Sequence, residues 1–220
     1  MTNYCIFMPT TIEIDKNSRL YLINQLIPNE IREKHYVDGI KKFYEFNKDK
    51  NIDIYISDNS DYFNKDSELK KYIDTTSIQI IKDVPNNYGK FNKGSGLIEN
   101  YLYNKYILNK YDYFIHFEPR QLLQSNQFID NFLQNPRNLF TYGGAYNYKD
   151  SNSLRHFNTG LFCIKTSILI NFIEKINLTN FNESIEYTIF NYFKTNNINF
   201  DILEKLDLFW FPNNSQKLYF

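Results

Sequence analysis

Short apolar runs that break into polar loops alternate with longer amphipathic stretches through residue 134. Tyr4–Met8 is apolar and ends at Pro9-Thr10-Thr11, which predicts a buried strand and a loop. Ser18–Leu26 carries Leu20, Ile23 and Leu26 at helical spacing. Pro28 interrupts, and Glu30–Asn47 resumes a helix with Ile31, Tyr36, Ile40, Phe43 and Tyr44 on one side. Ile52–Ser57 alternates and breaks into Asp58-Asn59-Ser60, the pattern of a second strand and a polar loop. Glu68–Ile73 predicts a short helix and Ser77–Ile81 a third strand. Asn86–Gly96 reads as a Gly/Asn/Lys loop, Leu97–Leu108 as a helix, Tyr113–Phe117 as a fourth strand, and Leu122–Leu133 as a helix ended by Asn135-Pro136.

Strands alternating with helices imply parallel strands joined by crossover helices. The remainder is less regular. Leu139–Tyr142 predicts a strand, Gly143-Gly144 a turn, Tyr146–Ser153 a polar loop and His156–Ile164 a strand containing Asn158-Thr159-Gly160. Thr166–Lys175 and Glu183–Phe193 predict helices, and Asn199–Leu203 and Leu208–Phe211 closing strands. The expected fold is α/β: a mostly parallel central sheet flanked by helices, with a smaller irregular half. Neither an internal repeat nor a dividing linker shows, so residues 1–220 read as one domain.

Hydrophobic residues make up 42% of the 220, enough for one sizeable core. Lys+Arg and Asp+Glu are 25 each, and a formal charge of zero argues against a nucleic-acid partner. Cys5 and Cys163 lie in apolar runs outside any Cys-x-x-Cys pair, so buried free thiols in a reducing compartment are expected. The N-terminal run has no basic start and stops at Pro9, and no stretch is long enough to span a bilayer. A cytoplasmic location follows as the expectation, host cytoplasm if the chain is virus-encoded.

The densest chemical signal is Tyr111–Gln121, where the apolar run Tyr113–Phe117 breaks into Glu118-Pro119-Arg120. Proline donates no N–H and ends a central strand. An acid and a guanidinium are thereby set at the tip of a buried strand, where open α/β sheets bind ligands. A structural ion pair between Glu118 and Arg120 is the plainer alternative.

The order of these features resembles the nucleotide-sugar glycosyltransferases of the fold called GT-A, and among them small transferases of large DNA viruses and bacterial surface-polysaccharide loci. The loop Asn87–Gly94 and its following helix lead into Asp112-Tyr113 and the strand with its acidic end. Further on, His156-Phe157-Asn158-Thr159-Gly160-Leu161-Phe162 is similar to the family's Asn-x-Gly-hydrophobic strand beside the sugar. The resemblance implies a nucleotide-binding half over 1–121 and an acceptor-side half over 122–220. It also implies a UDP-sugar as donor and a glycan or lipid-linked acceptor. One departure is plain: the family's Asp-x-Asp, which holds a divalent ion on the diphosphate, is here Glu118-Pro119-Arg120. Glu118 alone would hold Mn²⁺ or Mg²⁺ weakly. Arg120 would take over part of the metal's task, because a guanidinium pairs bidentately with phosphate.

Further site residues follow from the same resemblance. Thr10 lies beside the base, or else in a plain loop without a ligand role. Asp58 lies at the uracil or ribose, or else forms an ordinary Asx turn. Lys93 meets the phosphates, and Asn100 faces the donor. His156, Asn158, Thr159 and Gly160 sit at the sugar, Gly160 allowing close approach of the ring. Glu183 and Glu186, three apart on one helical face, supply an acceptor base, Glu186 preferred. Macrodipole-favoured acids behind an Asn182 N-cap explain the same pair without catalysis. Trp210 reads as core. A nucleotidyltransferase is the rival enzyme, disfavoured because no glycine-rich loop follows the first strand. A non-catalytic nucleotide-sugar-binding relic is the other alternative.

Overall fold

The computed structural model describes residues 2–14, 27–143, 156–210 and 218–219. The helix expected over Ser18–Leu26 and the loop expected over Tyr146–Ser153 lie outside them.

Four parallel strands make the first half of the sheet: β1 (Tyr4–Thr10), β2 (Asp53–Asp58), β3 (Gln79–Ile81) and β4 (Tyr113–Phe117), side by side in the order β3-β2-β1-β4. The chain builds outward from β1 to β3, then returns to the other side of β1, so the crevice between β1 and β4 is a topological switch point. Beyond β4 the sheet changes direction. β7 (Leu161–Lys165) pairs antiparallel with β4, β6 (Leu139–Phe140) antiparallel with β7, and β8 (Asp201–Ile202) parallel with β6. A small antiparallel sheet is formed by β5 (Gln121–Leu123), β9 (Leu208–Trp210) and β10 (Leu218–Tyr219).

Alternation along the strands divides the core. Ile6, Met8, Ile54, Ile56, Ile115 and Phe117 face one layer, with α1 (Asn29–Asn47), α2 (Glu68–Ile73) and α5 (Gln127–Gln134). Cys5, Phe7, Tyr55, Phe114, Phe162 and Ile164 face the other, with α3 (Lys93–Tyr103), α4 (Lys105–Leu108), α6 (Thr166–Ile173) and α7 (Ile185–Thr195). Burial on both faces is what a mostly parallel sheet demands. Cys5 and Cys163 are buried free thiols. Among the described residues, no helix is long and apolar enough to cross a membrane.

Four local expectations need correction. In α1, Ile31 is exposed while Arg32 is buried, because the inward stripe runs through Arg32, Tyr36, Gly39, Ile40, Phe43 and Asn47. Helix α3 begins at Lys93 rather than Leu97. Its N-cap is Asn92, whose side chain accepts a hydrogen bond from the Ser95 N–H at 3.0 Å. Its glycines are there for close packing: a Cβ on Gly96 would lie 2.6 Å from the Gly89 Cα, so the 86–92 loop rests directly on the first turn. Leu122-Leu123 is strand, not helix, because it pairs with Leu208-Phe209 far along the chain. The strand expected from His156 starts only at Leu161. Asn158 instead turns the chain, its Oδ1 accepting from the Gly160 N–H at 2.8 Å.

Gly39 fixes the height of the turn after β4. A Cβ there would stand 1.9 Å from the Pro119 carbonyl oxygen and 2.7 Å from that of Gln121. Helix α1 therefore touches the backbone on both sides of Arg120.

Candidate functional site

At the carboxyl ends of β1, β2 and β4 lies a cavity of about 630 Å³. Its walls come from the loops after β1, β2 and β3, the first turn of α3, the turn after β4, residues 156–160 and residues 182–186. Thr10, Lys93, Asn100, Glu118, Arg120, His156, Asn158, Thr159, Gly160, Glu183 and Glu186 all line it, and Asp58 does not.

Asp58 is buried one layer beneath the wall and organises the loop after β1. Its carboxylate accepts from Thr10 Oγ1 (2.7 Å), the Ile12 N–H (3.2 Å), the Ser60 N–H (2.9 Å) and the Ser60 hydroxyl. This is the Asx turn, extended across two strands. Burial pushes its pKa up to about 6 against the pull of those hydrogen bonds. Asn100 is similarly engaged. Its amide exchanges hydrogen bonds with Ser57, donating to the carbonyl at 3.0 Å and accepting from the hydroxyl at 2.8 Å, which ties α3 to β2.

The turn after β4 carries the charge. Arg120 is 5% exposed, and its Nε and Nη2 both donate to Glu118 Oε1 at 3.4 Å. Gln121 Nε2 reaches Glu118 Oε2, also at 3.4 Å. The Glu118 side chain keeps 36% of its surface open. The two residues are thus a long ion pair on the cavity wall. Burial opposes the Glu118 carboxylate, but Arg120 and Lys93 hold its pKa below the ordinary range.

Arg32, which sequence reasoning missed, adds a second guanidinium. It is 4% exposed, and its Nη2 donates to the Thr11 carbonyl at 2.6 Å. It lies 5.7 Å from the Tyr36 ring centre and lines the cavity. An arginine in register with Tyr36, Ile40 and Phe43 was the available signal. Lys93, exposed on the first turn of α3, is a third cation. Loss of water around its ammonium, then Arg120 and Arg32, pushes its pKa down.

His116 is core rather than surface chemistry. It stacks on Phe162 at 4.7 Å, its Nδ1 takes the Tyr101 hydroxyl at 2.7 Å, and it bonds to the Thr159 backbone. Burial pushes its pKa down to about 3, so it is neutral and holds residues 158–160 against β4.

The far wall carries the polar groups of the second half. Thr159 Oγ1 donates to Glu186 Oε1 at 3.2 Å, and the Ser184 hydroxyl donates to Glu186 Oε2. Glu183 precedes α7 instead of sharing its face with Glu186. Ser184, not Asn182, stands at the N-cap position, without a side-chain cap bond. The Thr188 hydroxyl donates to Glu183 at 3.2 Å. His156 packs on the Tyr187 ring at 4.6 Å. At Gly160 the space of a Cβ is filled by the Gln121 amide, 2.3 Å away, so the close approach is internal. The Trp210 side chain lies outside the described residues.

The donor set does not fit a protein-held divalent ion. Such an ion takes several hard oxygen ligands, and here one carboxylate stands beside an arginine and a lysine. Among the described residues no group of three or more His, Cys, Asp or Glu is disposed to hold a metal.

Neither a protein-family model nor a curated protein matches the chain. Solved structures match its fold. One is a protein assigned as a nucleotide-diphospho-sugar transferase from Desulfovibrio desulfuricans, with TM-score 0.54, 12% identity, and coverage of 93% of this chain and 80% of that one. A protein assigned as a glucose-1-phosphate thymidylyltransferase from Bacillus anthracis gives TM-score 0.52 at 11% identity, over 93% and 87% of the two chains. A CTP:phosphocholine cytidylyltransferase from Streptococcus pneumoniae gives 0.51 at 16%, over 96% and 93%. The fold is the mixed α/β, GT-A-like architecture shared by nucleotide-sugar transferases and nucleotidyltransferases.

Proposed function

We propose that the chain transfers a sugar from a nucleotide-diphosphate donor, a UDP-sugar, to a hydroxyl of a glycan or lipid-linked acceptor. One observation carries the reading. A cationic wall at the switch point and a carboxylate held by two hydroxyls open into a single cavity, of the size that small-molecule sites have. The base lies in the loops after β1 and β2, beside Thr10 and above Asp58. The diphosphate lies against Arg120 and Lys93, and the sugar near Asn158, Thr159, Gly160 and His156. Glu186 takes the acceptor proton while the acceptor oxygen bonds to the anomeric carbon. The anomeric C–O bond breaks, and its electron pair leaves on the diphosphate. Thr159 and Ser184 hold the Glu186 carboxylate in place, and Glu183 lies at the acceptor entrance.

The test is release of free nucleoside diphosphate from a panel of UDP-, GDP- and TDP-sugars with glycan acceptors. Wild type turns over one donor, and Glu186→Gln loses about 100-fold or more in kcat, the scale of a general base. Turnover unchanged in Glu186→Gln refutes its role.

Nucleotidyl transfer is the second reading, favoured by the thymidylyl- and cytidylyltransferase folds. It predicts pyrophosphate release from a nucleoside triphosphate and a sugar phosphate. Against it, the chain after β1 carries no glycine until Gly39.

A further inference from the structure

We infer that Arg32, Arg120 and Lys93 form a three-cation clamp that binds the donor diphosphate without a divalent metal. The inference rests on the nucleotide-diphosphate reading above and adds to it the means of charge neutralisation.

Three cationic groups line the cavity; among the described residues Glu118 is the carboxylate beside them, and Glu183 and Glu186 stand on the far wall. Two of them are guanidiniums at 4% and 5% exposure. Burying a guanidinium is costly unless its charge and donors are answered. Arg32 donates to neutral oxygens, the carbonyls of Thr11 and Ile12 and the Tyr36 hydroxyl, and the carboxylates of Glu118 and Asp58 act on it without a direct bond. Arg120 pairs with Glu118 through contacts at 3.4 Å. On that wall the cations outnumber the carboxylates among the described residues. Each cation depresses its neighbour: Arg120 acts on Arg32 and on Lys93, after the larger effect of burial on each. An anion with two or more charges relieves that repulsion. The N-terminus of α3, from which Lys93 projects, adds amide dipoles of the same sign. Planar guanidiniums match phosphate oxygens bidentately, so two of them with one ammonium can span a diphosphate. A divalent ion would compete with these cations for the same oxygens while gaining only Glu118 as a protein ligand.

The experiment is calorimetric titration of the whole chain with UDP, GDP, CDP and inorganic pyrophosphate, in EDTA and again in excess Mn²⁺ or Mg²⁺. One nucleoside diphosphate is expected to bind in EDTA, with metal changing its Kd less than about threefold. Lys93→Ala, on the exposed first turn of α3, is expected to weaken the diphosphate by about tenfold or more and the parent nucleoside hardly at all. Arg120→Lys keeps the charge but loses the fork and should also weaken it. Should Arg32→Lys fail to fold, Lys93→Ala still decides the matter. Binding that vanishes in EDTA and returns with Mn²⁺ overturns the clamp and leaves the transferase reading standing. Absence of nucleotide binding in both conditions overturns that reading and the clamp together.

Discussion

Replacing Gly39 by alanine sets two effects of opposite sign against each other. Alanine is the better helix former by about 1 kcal/mol in a helix interior, so propensity alone predicts a stabilised protein. The packing predicts the reverse. The new Cβ would stand 1.9 Å from the Pro119 oxygen, while real Cβ contacts essentially never fall under 3.0 Å. Backbone must therefore move by at least about 1.1 Å, the difference between those distances. The helix is pinned on both sides of the contact. Phe43 stacks on Phe117 at 4.1 Å, and Arg32 grips the Thr11 carbonyl. The displacement falls on the turn that holds Arg120. Overpacking of this kind costs about 1–3 kcal/mol, and a carbonyl cannot rotate away as a side chain can. The upper end of that range applies, and after the gain in propensity Gly39→Ala is expected to lose about 2 kcal/mol. Guanidinium unfolding followed by circular dichroism measures it. Lys34→Ala and Lys34→Gly, on the exposed side of the same helix, calibrate the propensity difference within this protein. A Gly39→Ala protein as stable as wild type, or more so, refutes the argument that this glycine sets the turn.

The remaining predictions concern titration and capping. Asp58 has a folded pKa raised from 3.8 to about 6, so the folded state binds more protons than the unfolded between those values. Its contribution therefore falls as pH rises through that window, by at most about 1.4 kcal/mol per pH unit. His116 is lowered from 6.5 to about 3, so the unfolded state binds more protons there and its contribution rises with pH by a similar slope. The two oppose each other between about pH 4 and 6. His116→Gln should therefore show stability falling across that range in urea melts, and a rising profile would contradict the assignment. A carbon-detected NMR titration of Asp58 should give a midpoint near 6, and a midpoint near 4 would mean that water reaches the carboxylate. Asn92→Ala removes the cap of α3 and should cost about 1 kcal/mol. Denaturant midpoints unchanged by it would show that the cap contributes nothing.

The sequence made the first half legible for physical reasons. A run such as Tyr113–Phe117, buried on both sides and stopped by Pro119, admits little besides a central strand, and the observed strand has those bounds. The acid and guanidinium beyond it then had to stand at the sheet's carboxyl edge. Arg32 was hidden because a hydrophobic stripe is found by counting apolar residues, and a buried guanidinium is invisible to that count. Lys93–Gly96 was hidden because two glycines read as loop. Here they let a helix approach the Gly89 backbone and Phe181, a tertiary cause that local propensity does not encode. Strand β5 was hidden because Leu122-Leu123 becomes a strand only through partners at Leu208 and Phe209. Asp58 and Glu183 show the same limit. Residue type and position were read from the chain, but whether a carboxylate faces a cavity or a neighbouring amide depends on how the loops close.

Where β4 meets β7 the sheet reverses direction, and a backbone hydrogen bond, from the Glu118 N–H to the Gly160 carbonyl at 2.7 Å, joins the two ends of the cavity. Most of what lies on one side of that seam is encoded before residue 122, and what lies on the other is encoded after residue 142. Segments from the two halves can therefore change separately only where they do not pack across it, as Gln121 does on Gly160 and His116 on Thr159. A lineage of such chains could alter the cavity-facing side chains around 156–160 and 182–186, acquiring new tastes at one end while inheriting the other unchanged.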